Sequence, residues 1–322
     1  FTISILTILS LSVLAQNQIP SPRYGASVVD VEYEVDSVTQ AWAHYLLFGD
    51  VNYTENPFAG MPSFYAFTHY ETYTEVEPLA INWDSIFFSS GQIALNFNNE
   101  YIVLIGGNRT DANGNPSSNN RTMLYHIATG SMYDGALEPF PSVGFMAYCD
   151  MGQGKIFFNG GEGHFYDGPH TWVLDMNTMT YLTKQNCPKA LSGHKAISDT
   201  TNHKVYLFGG IDDQGNNNFE CYEYNTQNNS WGFGPSIQNY PANEWTGYAA
   251  SGNTLNPNEI FLAGGQKYDP NKSTNSIAFS SNLYTIKLVN GNMVATLITN
   301  TIPPMIGGVG WVSLENTNDT VF

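Results

Sequence analysis

One pattern limits what this chain can become: an apolar run ending in glycine, repeated five times along 322 residues. The copies are Tyr45-Leu46-Leu47-Phe48-Gly49-Asp50, Ile102-Val103-Leu104-Ile105-Gly106-Gly107, Ile156-Phe157-Phe158-Asn159-Gly160-Gly161, Val205-Tyr206-Leu207-Phe208-Gly209-Gly210 and Ile260-Phe261-Leu262-Ala263-Gly264-Gly265. Their first glycines stand 57, 54, 49 and 55 residues apart. Short runs of β-branched and aromatic residues are strands. A period of about 50 residues belongs to propeller blades, in which each unit buries its faces against its neighbours. The chain reads as all-β, and its length suits one propeller because every blade brings its own small core.

Two further landmarks keep step with the glycines. A Gly-x-x-Ala opening precedes four of the runs by 15 to 17 residues, at Gly91-Gln92-Ile93-Ala94, Gly144-Phe145-Met146-Ala147, Gly193-His194-Lys195-Ala196 and Gly247-Tyr248-Ala249-Ala250. Arg23-Tyr24-Gly25-Ala26 is a degenerate first copy. Alanine there suggests a strand near a crowded axis, where tapering blades leave room only for small side chains. After the glycines comes a spaced pair, best seen as Tyr224 and Trp231 with six residues between them. The same spacing relates His126 to Tyr133, Leu174 to Tyr181 and Ile286 to Met293 across turn-forming Asn and Gly residues. Each unit therefore holds four strands.

An apolar strand closed by Gly-Gly and followed by this aromatic pair resembles the kelch repeat, most fully from Gly193 to Trp231. The resemblance runs from about Arg23 to the end of the chain. It departs in blade one, where Gly49-Asp50 replaces the glycine pair, and at the tryptophan position, held elsewhere by Tyr133, Tyr181 or Met293. It implies a β-propeller of four-stranded blades, five of them here plus the start of a sixth in Gly308-Val309-Gly310-Trp311 through Phe322. The propeller would then span 16–322 and be incomplete at its C-terminus, with six or seven blades in the intact protein. The glycine pairs, Gly106 and Gly107, Gly160 and Gly161, Gly209 and Gly210, Gly264 and Gly265, are expected to make sharp exits with unusual backbone angles. Trp231 is expected to cover the gap between blades four and five.

Residues 1–15 are apolar to Leu14 and end Val13-Leu14-Ala15, a signal-peptide pattern whose start is truncated. That run is short of the roughly 20 residues a membrane span needs. Six Asn-x-Ser/Thr acceptors, at Asn52, Asn108, Asn120, Asn228, Asn271 and Asn318, agree with a secreted glycoprotein. Three cysteines, Cys149, Cys187 and Cys221, allow one disulfide at most, so no disulfide framework holds the fold. A net charge of −17 repels phosphate backbones and anionic membranes, which argues against a nucleic-acid partner.

The densest polar cluster is Glu162, His164, Asp167 and His170, after blade three's glycine pair. Two imidazoles and two carboxylates are suitable ligands for a divalent ion, although their spacing matches no zinc signature. The loops Asp111-Ala112-Asn113-Gly114-Asn115 and Asp212-Asp213-Gln214-Gly215-Asn216 look like calcium loops but lack the sixth-position glycine and the flanking helices. His194 replaces Phe145 and Tyr248 at one repeat position, which marks it for packing. Kelch-type propellers include galactose-oxidase-like copper enzymes, but the seven histidines form no adjacent pair and no catalytic set is assigned. No cofactor is expected. The reading is a non-catalytic protein- or glycan-binding scaffold acting through the connections 108–121, 162–170, 211–219 and 266–280. The alternatives are a secreted carbohydrate-active enzyme on the same fold, an oxidase or sugar-acid isomerase, and the ectodomain of an anchored receptor whose anchor lies outside this fragment.

Overall fold

The computed structural model describes residues 27–34, 40–47, 64–69, 74–78, 88–110, 120–140, 143–163, 166–241, 250–253, 259–267 and 278–300. The expected signal peptide 1–15, the opening at Arg23–Ala26, Gly49-Asp50 and the last stretch from Gly308 lie outside the described residues. Among the described residues the chain is all strand and turn, and five four-stranded antiparallel sheets follow one another along it.

Sheet one joins Ser27–Glu34, Gln40–Leu47, Phe64–His69 and Thr74–Pro78; sheet two joins Ile93–Phe97, Tyr101–Ile105, Arg121–His126 and Ser131–Leu137. The third is Ala147–Asp150, Lys155–Asn159, Thr171–Asp175 and Thr180–Lys184; the fourth is Lys195–Asp199, Lys204–Phe208, Tyr222–Asn225 and Ser230–Phe233. Ala250–Asn253, Glu259–Ala263, Leu283–Val289 and Asn292–Thr299 make the fifth. Strands pair in chain order in all five, so each sheet is a simple meander. The sheets behave as propeller blades: the first strand of blade one abuts that of blade two, and the first strand of blade three that of blade four.

Alternation puts one row of side chains from each strand toward the preceding blade and the other toward the following blade. The buried residues accordingly sort into one apolar cluster per seam. Val29, Val31, Ile102, Leu104 and Tyr125 fill the seam between blades one and two. Ile105, Phe140, Phe158, Trp172 and Leu174 fill the next, and Phe157, Val173, Val205, Leu207 and Tyr224 the third. Ile197, Tyr206, Phe208, Ile260, Ile286 and Met293 close the seam between four and five. Burying each such side chain contributes about 1.5–3 kcal/mol, and the second strands of blades two to five are accordingly mostly apolar.

The glycine pairs have the positive φ expected of them, at Gly106 (65°), Gly107 (92°), Gly160 (62°), Gly161 (100°), Gly209 (67°), Gly210 (82°), Gly264 (63°) and Gly265 (88°). Their second purpose is close approach. A Cβ on Gly160 would stand 2.3 Å from the Leu191 carbonyl oxygen, and one on Gly210 2.7 Å from that of Ser192. Gly107 and Gly161 donate their N–H to Val143 and Leu191 at 2.6 and 2.9 Å. The pair is thus where a blade's second strand touches the segment entering the next blade, and a side chain would push the two apart.

Three details of the repeat differ from expectation. In blades three and four Leu174 faces Tyr181 and Tyr224 faces Trp231 across the ladder, as the spacing predicts. In blade two the facing pair is Tyr125 and Met132, one residue before His126 and Tyr133. The four-residue loops 127–130, 176–179 and 226–229 are alike and each ends at positive φ, on Gly130, Met179 and Asn229. A one-residue slip therefore reverses the face, and Tyr133 is half exposed. Blade five turns on two positive-φ residues, Asn290 and Gly291, so Ile286 faces Ala295 and Met293 faces Leu288.

The Gly-x-x-Ala opening also slips. Ile93, Ala147, Lys195 and Ala250 are the residues opposite the last apolar position before each glycine pair. Phe145, at φ 56°, therefore takes the position that Gly91 and Gly193 take in blades two and four. Its N–H donates to Gly91 O at 2.8 Å and its carbonyl accepts from Gly193 N–H at 3.0 Å, stitching three blades together. Finally, Trp231 packs between blades three and four, not four and five. It lies against Phe157 and Tyr224, with ring centroids 6.3 and 5.0 Å away, and its indole N–H donates to Gln185 O at 2.7 Å. Strand alternation decides this, because Trp231 shares a face with Tyr224, whose row points back toward blade three.

Candidate functional site

In a four-stranded meander the first and third turns lie at one end of the blade, and the middle connection lies at the other with the link to the next blade. Hydrogen bonds tie the turns together: Thr226 N–H donates to His203 O, Ile127 N–H to Glu100 O and Met176 N–H to Gly154 O, all within 3.0 Å. The opposite end carries the longer connections. There Phe88–Ser90 pairs with Asn108–Thr110, and Leu191–Ser192 pairs with Ile211–Asp212. Glu162–Gly163 pairs with Tyr166–Asp167, Gln266–Lys267 with Ala278–Phe279, and Gly144 bridges to Glu162.

Between blades three and four this end opens into a cleft of about 130 Å³ lined by Gly161, Glu162, Gly168, Leu191, Ser192 and Asp212, with Ala190, Ile211 and Asp213 beside them. Ser192 Oγ donates to Glu162 Oε2 at 3.2 Å. Asp212 Oδ1 accepts from Gln214 and Asn216 N–H at 3.1 and 2.8 Å, and Oδ2 pairs with Lys189 at 3.3 Å. Partial desolvation pushes the Asp212 carboxyl up, but the Asn216 N–H, the Lys189 ammonium and the Gln214 N–H outweigh it and hold it below the usual range. This loop, which looks like a calcium loop in sequence, spends its first carboxylate on its own turn and on Lys189. The other such loop, from Asp111 to Asn115, lies outside the described residues.

A buried pair under the cleft holds the connection in place. Asn159 Nδ2 donates to His170 O and Thr171 Oγ1 at 2.9 Å each, so its Oδ1 accepts, at 3.0 Å, from His194 Nε2. That assigns the proton to Nε2 and leaves Nδ1 as an enclosed acceptor with no hydrogen-bond partner. Desolvation, with the Lys195 charge beside it, depresses the His194 pKa to about 3, so the ring is neutral. His194 is buried and packed, but with the opening slipped by one residue in blade three it stands where Gln92 and Met146 stand in blades two and three, and not at the position of Phe145 as its place in the sequence repeat suggests.

The proposed metal cluster is only partly visible. Glu162 and Asp167 are opposed on the small ladder, His170 stacks on Trp172 with centroids 5.7 Å apart, and His164 lies outside the described residues. Burial holds His170 below its ordinary pKa. Among the described residues no three His, Cys, Asp or Glu side chains converge on a common point. Cys149, Cys187 and Cys221 are all buried and unbridged; burial pushes the thiols of Cys187 and Cys221 up to about 12, which makes them poor nucleophiles.

Sequence reasoning missed a buried ion pair in blade two. Arg109 Nη2 meets Glu138 Oε1 at 3.0 Å with both side chains enclosed, and Gly106 N–H donates to the same oxygen at 3.0 Å. Arg109 also donates to Gly106 O and Arg121 O. Burial pushes the Glu138 carboxyl above its usual range although the Arg109 guanidinium pulls the other way. Close by, Tyr181 of blade three and Thr122 of blade two share a hydrogen bond of 2.7 Å across the seam. The only sequence signal was a charged residue two places after a glycine pair.

No protein-family model matches the chain, and no curated protein matches it in sequence. In three dimensions it is similar to the solved structure of YjhT, with a TM-score of 0.64 over 90% of this chain and 87% of that one at 13% identity. A likeness at that identity is one of architecture. Together with the five meander sheets it shows an all-β, propeller-like fold.

Proposed function

We propose that the protein is a secreted kelch-type propeller that binds a protein or a glycan without transforming it. The observation carrying this reading is the cleft between blades three and four, at the end where the long connections gather. Its size suits one sugar ring or one side chain. Gly161, Gly168 and Ser192, whose hydroxyl donates to Glu162, line its surface. With Asp212 paired to Lys189, Glu162 and Asp213 give the cleft its negative lining, and the whole chain carries −17. That field favours neutral or basic ligands; a sugar acid would set its own carboxylate against Glu162 and Asp213.

The test is a screen of the secreted protein against immobilised neutral, basic and acidic glycans and peptides, followed by Asp213→Lys. Reversing the charge at the cleft lowers affinity for the selected ligand at least about tenfold, with an unchanged melting temperature. Equal binding by the variant removes the cleft from the reading. Ligand turnover that is lost on chelation replaces the scaffold with a metal-dependent enzyme.

A further inference from the structure

The three sequons within the described residues occupy opposite physical settings. Two are built around the buried ion pair of blade two. Asn108 is half-buried with its Oδ1 fully enclosed, and the next residue, Arg109, is the guanidinium partner of Glu138. Asn120 brackets Glu138 from the other side: it accepts the Glu138 N–H at 2.6 Å, and its Nδ2 donates to the Glu138 carbonyl at 3.0 Å. The hydroxyl residue of that sequon, Thr122, is fully buried and bonded to Tyr181.

Asn228 is different. It stands exposed in the turn 226–229 between the third and outer strands of blade four. Its backbone N–H is held by Asn225 Oδ1 at 3.1 Å, and its Oδ1 accepts from Ser230 Oγ, the hydroxyl of its own sequon, at 2.6 Å. That contact orients the carboxamide through its oxygen, so an added sugar on Nδ2 meets solvent. The turn lies at the end of the blade away from the cleft, since Thr226 bonds to His203 of the first turn.

We infer that Asn228 is the N-glycan acceptor among these three, and that the glycan covers the turn end while leaving the cleft end free. In the folded molecule a sugar on Nδ2 of Asn120 would be attached to a part-buried nitrogen that already donates to the Glu138 carbonyl, beside the fully buried Thr122. One on Asn108 would attach to a part-buried side chain whose Oδ1 is already enclosed. Both would crowd part-buried carboxamides, whereas Asn228 stands exposed in its turn. The inference rests on the secretory reading above, because acceptor sequons are used only on chains that enter that pathway.

The full chain is expressed behind a host leader in a glycosylating eukaryotic cell line, so that translocation does not depend on residues 1–15. A parallel expression without the added leader tests the secretion reading separately. Site occupancy is mapped by peptide mass spectrometry before and after enzymatic deglycosylation, on both secreted and cell-retained folded protein. The expected result is high occupancy at Asn228 and little at Asn108 and Asn120. Asn228→Gln and Ser230→Ala should each remove one glycan's mass, Ser230→Thr should keep it, and Asn108→Gln and Asn120→Gln should leave the glycan pattern unchanged. Comparable occupancy at Asn108 or Asn120, or a bare Asn228 in translocated protein, overturns the inference.

Discussion

The seam between blades two and three and the seam between three and four are built from the same apolar repeat but joined by different polar parts. At the first, charge is buried: Arg109 and Glu138 are enclosed together, and Tyr181 reaches across to Thr122. At the second, the polar parts are neutral: Asn159 holds His194, and Trp231 reaches across to Gln185 O. A buried charge pair makes its seam intolerant of losing one partner, while a buried neutral imidazole makes its seam sensitive to acid. Blades that look equivalent in sequence are therefore unequal in how they fail.

The largest consequence belongs to the charged seam. Removing the carboxylate in Glu138→Ala takes from the buried Arg109 guanidinium the carboxylate it meets at 3.0 Å and deprives the Gly106 N–H of its acceptor. The expected loss is about 3–5 kcal/mol in chemical denaturation, the cost of breaking a buried pair from one side. A double replacement of Arg109 and Glu138 by apolar residues should recover much of that loss. Single and double variants of equal stability would mean that the pair is not desolvated as described, and the contrast between the seams would disappear.

The neutral seam should respond less to Trp231→Ala, because the residue is only partly buried and its neighbours Phe157 and Tyr224 also pack against each other. A loss of about 2 kcal/mol is expected, below the range for a fully buried tryptophan. The location of the damage is the sharper readout. Amide exchange should accelerate in Thr180–Lys184 and Tyr222–Asn225 and stay unchanged in Asn292–Thr299. Acceleration in blade five would return Trp231 to the seam between four and five.

How much of this was legible beforehand follows from what each feature encodes. The glycine pairs and the strand count were readable because positive φ and close backbone contact leave glycine as the residue that fits, and apolar rows mark blade cores. Register was readable only where the turn was typical. His126 to Tyr133 has the same spacing as Tyr125 to Met132, and the alternation of Met123 and Tyr125 toward the core was the information that distinguished them. Buried polar partners were not readable. Arg109, Glu138 and Asn159 have the sequence character of loop residues, and their partners lie 29 and 35 positions away. The candidate cleft was half legible: Glu162 and the Asp212-Asp213 loop stood out, but the segment 190–192 that joins them comes from the link between blades.

The smallest effect, taken per pH unit, separates the seams by their response to acid. His194 has a folded pKa of about 3, against an ordinary 6.5 in the unfolded chain. The unfolded state therefore binds the extra proton first as pH falls. Stability contributed by the neutral ring is complete above 6.5 and drains away toward pH 3, at up to about 1.4 kcal/mol per unit. Glu138 has the opposite sign: its raised pKa favours the folded state at low pH and costs stability as pH rises through the folded value. Comparing wild type with His194→Gln isolates the histidine, because the Glu138 contribution is common to both. The difference in unfolding free energy should narrow steadily from pH 6.5 downward. A difference that stays flat across that window would show that His194 takes up a proton in the folded molecule as readily as in the unfolded chain, and the second seam would then be no more sensitive to acid than the first.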